Sequence, residues 1–167
     1  MSDSAAPADR IRAIEPGDVA DVVQLVHDLA RYEKLPELCR LTGGQLHEAL
    51  FGPAPALFGL VADSEPGRVG GFALYFLNFS TWEGVHGIYL EDLYVRPALR
   101  GSGLGKALLI RLAQIAVERG YARVEWSVLD WNTPSIDFYR SLEAIPMDEW
   151  TTFRLTGPAL RRAAGTG

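Results

Sequence analysis

The sequence predicts an α/β domain in which helices cover a mixed sheet. Three observations carry that reading. The length, 167 residues and 18.3 kDa, suits one domain with a core of its own. Strand patterns outnumber helical ones, and the two kinds are interleaved along the chain. One strand pattern leads through a glycine-rich loop straight into an amphipathic helix. Residues 10–160 read as the folded domain, and residues 1–9 and 161–167 as loose ends.

Each element has a local reason. Residues 11–14 are a short strand candidate. Pro16 suits the first turn of a helix, where a missing N–H does no harm. Val19, Val22, Val23, Val26, Leu29 and Ala30 follow at helical spacing and form one apolar stripe. Thr42 precedes a second helix over 45–50. Residues 57–62 read as a strand, and Glu65-Pro66-Gly67 as the turn to its hairpin partner at 69–77. Another strand covers 87–95. The helix after the glycine-rich loop turns Leu104, Ala107, Leu108, Leu112, Ile115 and Ala116 inward. It ends at Gly120, where a left-handed backbone suits glycine. A strand at 122–129 follows, then a helix capped by Thr133-Pro134 and running to about Leu142, then a last strand at 150–155.

Composition narrows the function classes. Hydrophobic residues are 48% and charged residues 22%, which argues against a disordered chain, a coiled coil and a collagen-like chain. The formal charge is −5, from 16 basic and 21 acidic residues. Without a basic run the chain is a poor candidate for nucleic acid, and it is compatible with a cationic substrate. Cys39 is the only cysteine, so no internal disulfide forms and no cysteine cluster exists for zinc. His27, His47 and His86 show no metal-ligand spacing. Residues 1–9 lack the basic and apolar regions of a signal peptide, and no apolar run approaches the ~18 residues of a membrane helix. A cytoplasmic, reducing location without membrane contact is the expectation.

The segment Arg100-Gly101-Ser102-Gly103-Leu104-Gly105 is the most informative. Gly103 and Gly105 let the backbone approach a ligand, because no Cβ intervenes. The helix that starts here offers unpaired N–H groups and a positive dipole end, and Arg100 adds a fixed charge. Together these suit a phosphate or pyrophosphate. The competing explanation is a helix-entry loop whose glycines serve only a tight turn. A P-loop would require Ser or Thr after Lys106, where Ala107 stands. The dinucleotide motif G-x-G-x-x-G has a different register.

The same six residues resemble the R/Q-x-x-G-x-G/A motif of the GNAT superfamily of N-acetyltransferases. More narrowly, the chain is similar to the diamine (spermidine/spermine) and thialysine acetyltransferases. Leu29-Ala30-Arg31-Tyr32-Glu33 resembles the end of their first helix, and Tyr89-Leu90-Glu91-Asp92-Leu93-Tyr94-Val95 their central strand. Trp131-Asn132-Thr133-Pro134-Ser135-Ile136-Asp137-Phe138-Tyr139 resembles the W-N-x-P-S-I-x-F-Y segment after the next strand. The blocks keep the family's order from Ile11 to about Leu155. One departure is visible: the family has Gly-Ala where this chain has Glu143-Ala144, and an acid at a helix C-terminus opposes the dipole. The resemblance implies a single GNAT-like domain with a mostly antiparallel sheet of about six to seven strands and helices on both faces. It also implies acetyl-CoA as donor, no metal, a small amine acceptor and a homodimer.

Carried onto this sequence, the family's chemistry assigns roles. Glu91 matches the proposed base, which takes a proton from the amine directly or through water; it could instead only bind the cation. Tyr139 matches the acid that protonates the departing thiolate, against the plainer reading of a core aromatic. The resemblance places Leu93, Tyr94 and Val95 along the pantetheine arm, with Arg100, Gly101, Ser102, Gly103, Leu104, Gly105 and Lys106 at the phosphates. Asn132, Ser135 and Tyr139 join the cofactor set. A polyamine acceptor calls for an acidic pocket, with Tyr32, Glu33, Trp82, Glu91, Asp92 and Asp130 as candidates. Strict alternation sends Glu91 and Asp92 to opposite faces, so both reach one site only on a bulged or splayed strand. Two other readings stand beside this one: an acetyltransferase acting on proteins or peptides, and a CoA-binding module without turnover.

Overall fold

The computed structural model describes residues 6–166. The chain divides into two compact units, with the boundary after Ser127. The first unit holds one five-stranded sheet in the order β1 (Ile11–Ala13), β2 (Phe58–Glu65), β3 (Arg68–Ser80), β4 (Val85–Val95), β5 (Val124–Trp126). Neighbours are antiparallel except β4 and β5, which run parallel. Three helices belong to this unit: α1 (Val19–Tyr32), α2 (Gly43–Phe51) and α3 (Leu104–Glu118). The second unit carries α4 (Thr133–Ser141) and α5 (Gly157–Ala163).

Burial explains the layers. Val22 and Leu25 of α1 and Leu46 of α2 pack with Val61, Phe72, Leu74 and Tyr94 on one face of the sheet. Leu25 is fully buried, although it lies off the stripe read from the sequence. The predicted inward residues of α3 are all buried, with Leu109 added. Thr42 caps α2: its hydroxyl accepts from Gln45 N–H at 3.3 Å, and Gln45 Oε1 accepts from Thr42 N–H at 3.0 Å. Gly67 closes the β2–β3 turn at φ 76° and Gly120 follows α3 at φ 69°, both left-handed.

Three expectations need correction. Among the described residues the sheet has five strands, not six to seven. Residues 150–155 have strand-like composition but form no strand, because no described segment pairs with their backbone. The strand expected at 122–129 shrinks to Val124–Trp126, since its ladder with β4 ends at Leu90↔Trp126. The presumed loose ends also carry structure: Pro7–Arg10 is a 3-10 turn and α5 reaches Ala163. Residues 1–5 and 167 lie outside the described residues. No described helix is long and apolar enough to cross a membrane.

An ion-pair network ties β1 to β2 and to the start of α1. Arg12 donates to Asp18 at 2.7 and 2.9 Å and to Asp63 at 2.9 and 3.0 Å. Asp18 also accepts Glu15 N–H at 2.8 Å. The hydrogen bonds from Arg12 hold the Asp18 carboxyl below its usual range. Removing Arg12 strands two carboxylates, one of them largely buried. Arg12→Ala is therefore expected to cost about 2–4 kcal/mol in urea unfolding at pH 7. A loss under about 0.5 kcal/mol would show the network to be an ordinary solvated pair.

Candidate active site

The central feature is a break in β4. Pairing with β3 runs Leu90↔Tyr75 and then Asp92↔Leu74, so Glu91 has no partner and forms a β-bulge. A bulge cancels strict alternation and lets Glu91 and Asp92 lean toward one side. The same point is where β5 leaves: it pairs with β4 only from Ile88 to Leu90. Beyond Leu90, residues 91–95 have β3 on one side and no strand on the other among the described residues. That leaves an open backbone edge at Leu93, Tyr94 and Val95, with N–H and C=O groups available to an extended ligand.

Three acids meet at the bulge. Asp92 lies opposite Leu74 and shares the face covered by α1 and α2. Burial, with the charges of Glu91 and Glu33 added, pushes the Asp92 carboxyl up to about 6. Glu33 is the C-cap of α1, and burial raises its carboxyl as well. Tyr32 sits beside it in the last turn of the helix. Trp82, in the turn between β3 and β4, is 90% exposed. Its ring is thus presented to solvent.

The glycine-rich loop delivers α3 with a bare N-terminus. Gly101 and Gly103 are left-handed, at φ 81° and 86°. Gly103 is the N-cap and supplies no side chain, and the first turn holds no acid. The first intrahelical bond is Ala107 N–H to Gly103 C=O at 2.9 Å, so the preceding amides point out of the helix end. A Cβ on Gly105 would meet Leu93 and Val95 at ordinary van der Waals distance, each at 3.8 Å, so α3 and β4 leave room for one there. Ser102 Oγ donates to Leu99 C=O at 2.6 Å and fixes the loop. Lys106 follows on the first turn of α3.

Arg100 is placed by aromatic rings. Its guanidinium lies 4.8 Å from the Tyr32 ring centre and 5.3 Å from that of Tyr94, and its Nε donates to Val95 C=O at 3.4 Å. Sequence reasoning gave Tyr94 a backbone role and missed its ring. Alternation would have shown only that Tyr94 faces the α1 side. That Arg100 reaches it depends on the path of the loop.

In the second unit, Asn132 is the N-cap of α4, and its Oδ1 accepts from Ser135 N–H at 3.4 Å. The cap is therefore Asn132, not Thr133-Pro134, because its side chain reaches the third helical residue while Pro134 only fills the first turn. Asn132 is buried, and Asp130 lies in the turn before it. Tyr139 is in the last turn of α4, with its ring centre 5.5 Å from that of Phe138. Glu143 follows the helix at φ 63°. The turn keeps the left-handed shape that glycine would take freely, at a cost of about 1–2 kcal/mol. Glu143→Gly is expected to raise the melting temperature by a few degrees, worth about 1 kcal/mol, and scanning calorimetry reads it. No gain would show that the strain is relieved elsewhere.

No described group of three or more His, Cys, Asp or Glu is arranged to hold a metal. The model of the acetyltransferase (GNAT) family matches residues 22–143. A thialysine N-epsilon-acetyltransferase of Bos taurus is 38% identical, over 93% of this chain and 96% of its own length. The L-ornithine N5-acetyltransferase NATA1 of Arabidopsis thaliana is 32% identical over 91% of this chain and 86% of its own. Among solved structures, an integron cassette protein from the mobile metagenome of V. cholerae superposes with TM-score 0.77 at 26% identity, covering 92% of this chain and 96% of that one. With a glycine-capped helix after a splayed central strand, and these relatives along nearly its whole length, the chain belongs to the GNAT acetyltransferase family and is an N-acetyltransferase.

Proposed function

We propose that the chain moves an acetyl group from acetyl-CoA to a primary amine of a small cationic acceptor. Polyamines, diamines and lysine analogues such as thialysine are the class. The observation that carries this reading is the meeting of Glu33, Glu91 and Asp92 at the bulge, where β4 parts from β5. Excess negative charge beside an open strand edge suits a cation that must come next to an extended donor.

The residues present fit acetyl-CoA. The first turn of α3, with Gly101, Ser102, Gly103, Leu104, Gly105, Lys106 and Arg100, would take the pyrophosphate. The open edge at Leu93, Tyr94 and Val95 would take the pantetheine amides; for Asn132 and Ser135 a place in the cofactor set rests on the family resemblance alone. When bound, acetyl-CoA supplies an activated thioester. A lysine-like amine, with a pKa of about 10.4, arrives as the ammonium and must lose a proton before it attacks. Glu91, exposed at the bulge, receives that proton directly or through water. Asp92 and Glu33 hold the cation, with Tyr32, Trp82 and Asp130 as further acceptor contacts. The Tyr139 hydroxyl donates to the sulfur as it leaves. Transfer is direct, in a ternary complex. The protein works in the cytoplasm as a homodimer.

Thiol release from acetyl-CoA, measured with spermidine, putrescine, thialysine, lysine, an amino sugar and a basic peptide, tests the reading. Release with one or more of the small cationic amines is expected. Release with the peptide alone would move the activity to protein acceptors. Silence with every amine, alongside CoA binding by calorimetry, would leave a binding module.

A further inference from the structure

The contact between Arg100 and Tyr32 joins two parts of the site that the chain keeps far apart. Tyr94 is 6% exposed and belongs to the core cluster that holds Val22 and Leu25 of α1, so its ring is a fixed platform. Tyr32 is 36% exposed and ends α1, where no following turn holds it. The Arg100 guanidinium lies against both rings, 4.8 Å from the centre of Tyr32 and 5.3 Å from that of Tyr94. A guanidinium offers its faces to rings and its edges to anions, so the two kinds of contact do not compete. Among the described residues its hydrogen bond runs from Nε to Val95 C=O, which leaves the two Nη groups for a phosphate at the first turn of α3.

The backbone just past Tyr32 is one that needs holding. Leu35 N–H donates to Ala30 C=O at 2.9 Å and Lys34 N–H to Arg31 C=O at 3.1 Å, the double closure of a Schellman turn. Glycine usually fills the left-handed position of that turn, and here Lys34 takes it at φ 65°. Strain of this kind persists where the surroundings fix it. Glu33, the C-cap, stands inside the turn between Tyr32 and Lys34, and it is one of the three acids at the bulge.

We infer that Arg100 is a strut between the donor and acceptor sites: fixed along its edge by phosphate, it fixes the Tyr32 ring on its face, and with that ring the strained turn that carries Glu33. The inference rests on the function proposed above and adds regulation to that site. Without a phosphate, Arg100 is an exposed, many-jointed side chain, and the end of α1 is held only loosely. With one, the acid that meets the acceptor is already in place. Filling the donor site therefore raises affinity for the cationic amine, and by linkage the amine raises affinity for the donor equally. Tyr32 is a positioning residue, acting through Glu33.

Isothermal titration calorimetry of the full chain tests this. CoA is the donor probe, because without an acetyl group no transfer occurs, and spermidine and thialysine are the amine probes. The wild type should bind the amine about fivefold or more tightly once saturated with CoA, and CoA should gain the same factor from saturating amine. Tyr32→Leu removes the ring and should bring both factors to within about twofold of one. Tyr32→Phe keeps the ring and should keep the factors. Circular dichroism confirms that both variants fold. A Tyr32 that merely touched the amine or stabilised α1, or a plain attraction between phosphate and ammonium, would leave the factor intact in Tyr32→Leu; that outcome would overturn the strut. A wild type that binds CoA and amine independently would also overturn it, while the proposed function stands. Loss of the factor in Tyr32→Phe as well would move the coupling to the hydroxyl and overturn the ring contact. A wild type that binds CoA but neither amine, with or without CoA, would overturn the proposed acceptor class itself.

Discussion

Tyr139→Phe should lower kcat by roughly 100-fold or more, while affinity for CoA stays within about threefold. The substitution removes one oxygen and keeps the ring, so the contact with Phe138 at the end of α4 survives. What disappears is the hydroxyl that the proposed mechanism uses to protonate the leaving sulfur. A thiol of ordinary acidity, with a pKa of about 8.5, is a tolerable leaving group even unprotonated. The loss should therefore be large but not total. A general acid also shapes the pH dependence: it works only while it holds its proton, so the wild type should lose activity at high pH. The variant should lack that limb. Turnover within threefold of wild type, measured by thiol release under saturating substrates, would strip Tyr139 of the role.

Asp92→Asn should raise KM for the cationic acceptor tenfold or more, with CoA affinity unchanged. The cause is geometric first: Asp92 is the half-buried acid at the break in β4, flanked by Glu91 and Glu33. A carboxylate in that position attracts an ammonium, and an amide of the same shape does not. The pH dependence follows. Asp92 titrates near 6, so kcat/KM for the wild type should fall as pH drops through that value, because the protonated form is neutral. In the variant this inflection should vanish. Stability gives an independent sign. Here the folded state holds its proton more tightly than the unfolded chain, whose carboxyl titrates near 3.9. Wild-type stability therefore rises as pH falls from about 6 toward about 4, where the folded state binds the extra proton. Above pH 6 the folded protein carries a buried charge at a cost, and Asp92→Asn should raise the melting temperature there. A diamine at about the wild-type KM should raise the wild-type melting temperature in the same range and the variant's by much less. Equal KM values for the two proteins would remove Asp92 from the acceptor site.

How much of this was legible in the sequence depends on range. The stripe of α3, the glycines before it and the Thr42 cap are set by residues within four positions of each other, and each was readable. Gly103 is a case in point: its left-handed φ is what a glycine at a helix start suggests. The acids at 91 and 92 were readable as types, but their sharing of a site was readable only through the family resemblance, not from alternation. Alternation is a property of one strand, whereas the bulge is defined by Leu74 and Tyr75 on the neighbouring strand. The shortened β5 has the same origin, since its ladder stops where β4 bends. Residues 150–155 show the converse failure. Composition proposes a strand, and a strand exists only where another backbone stands beside it. Arg100 was read as a cation for phosphate, but its seat between the rings of Tyr32 and Tyr94 joins parts of the chain more than sixty residues apart.

The bulge has one more implication. On either side of Glu91 the pairing already runs from Leu90↔Tyr75 to Asp92↔Leu74, two consecutive rungs on β3. Excising Glu91 would let the rungs close up without moving a single side chain to the wrong layer. Glu91 is thus the one position in the strand that the sheet does not count. A descendant of this gene lacking that codon would keep its topology, its core and its glycine loop, and would align with its ancestor at almost undiminished score. It would have lost the residue proposed above as the proton acceptor. Loss of activity in such a lineage would be silent to any comparison of folds and visible only as a one-residue gap in an alignment.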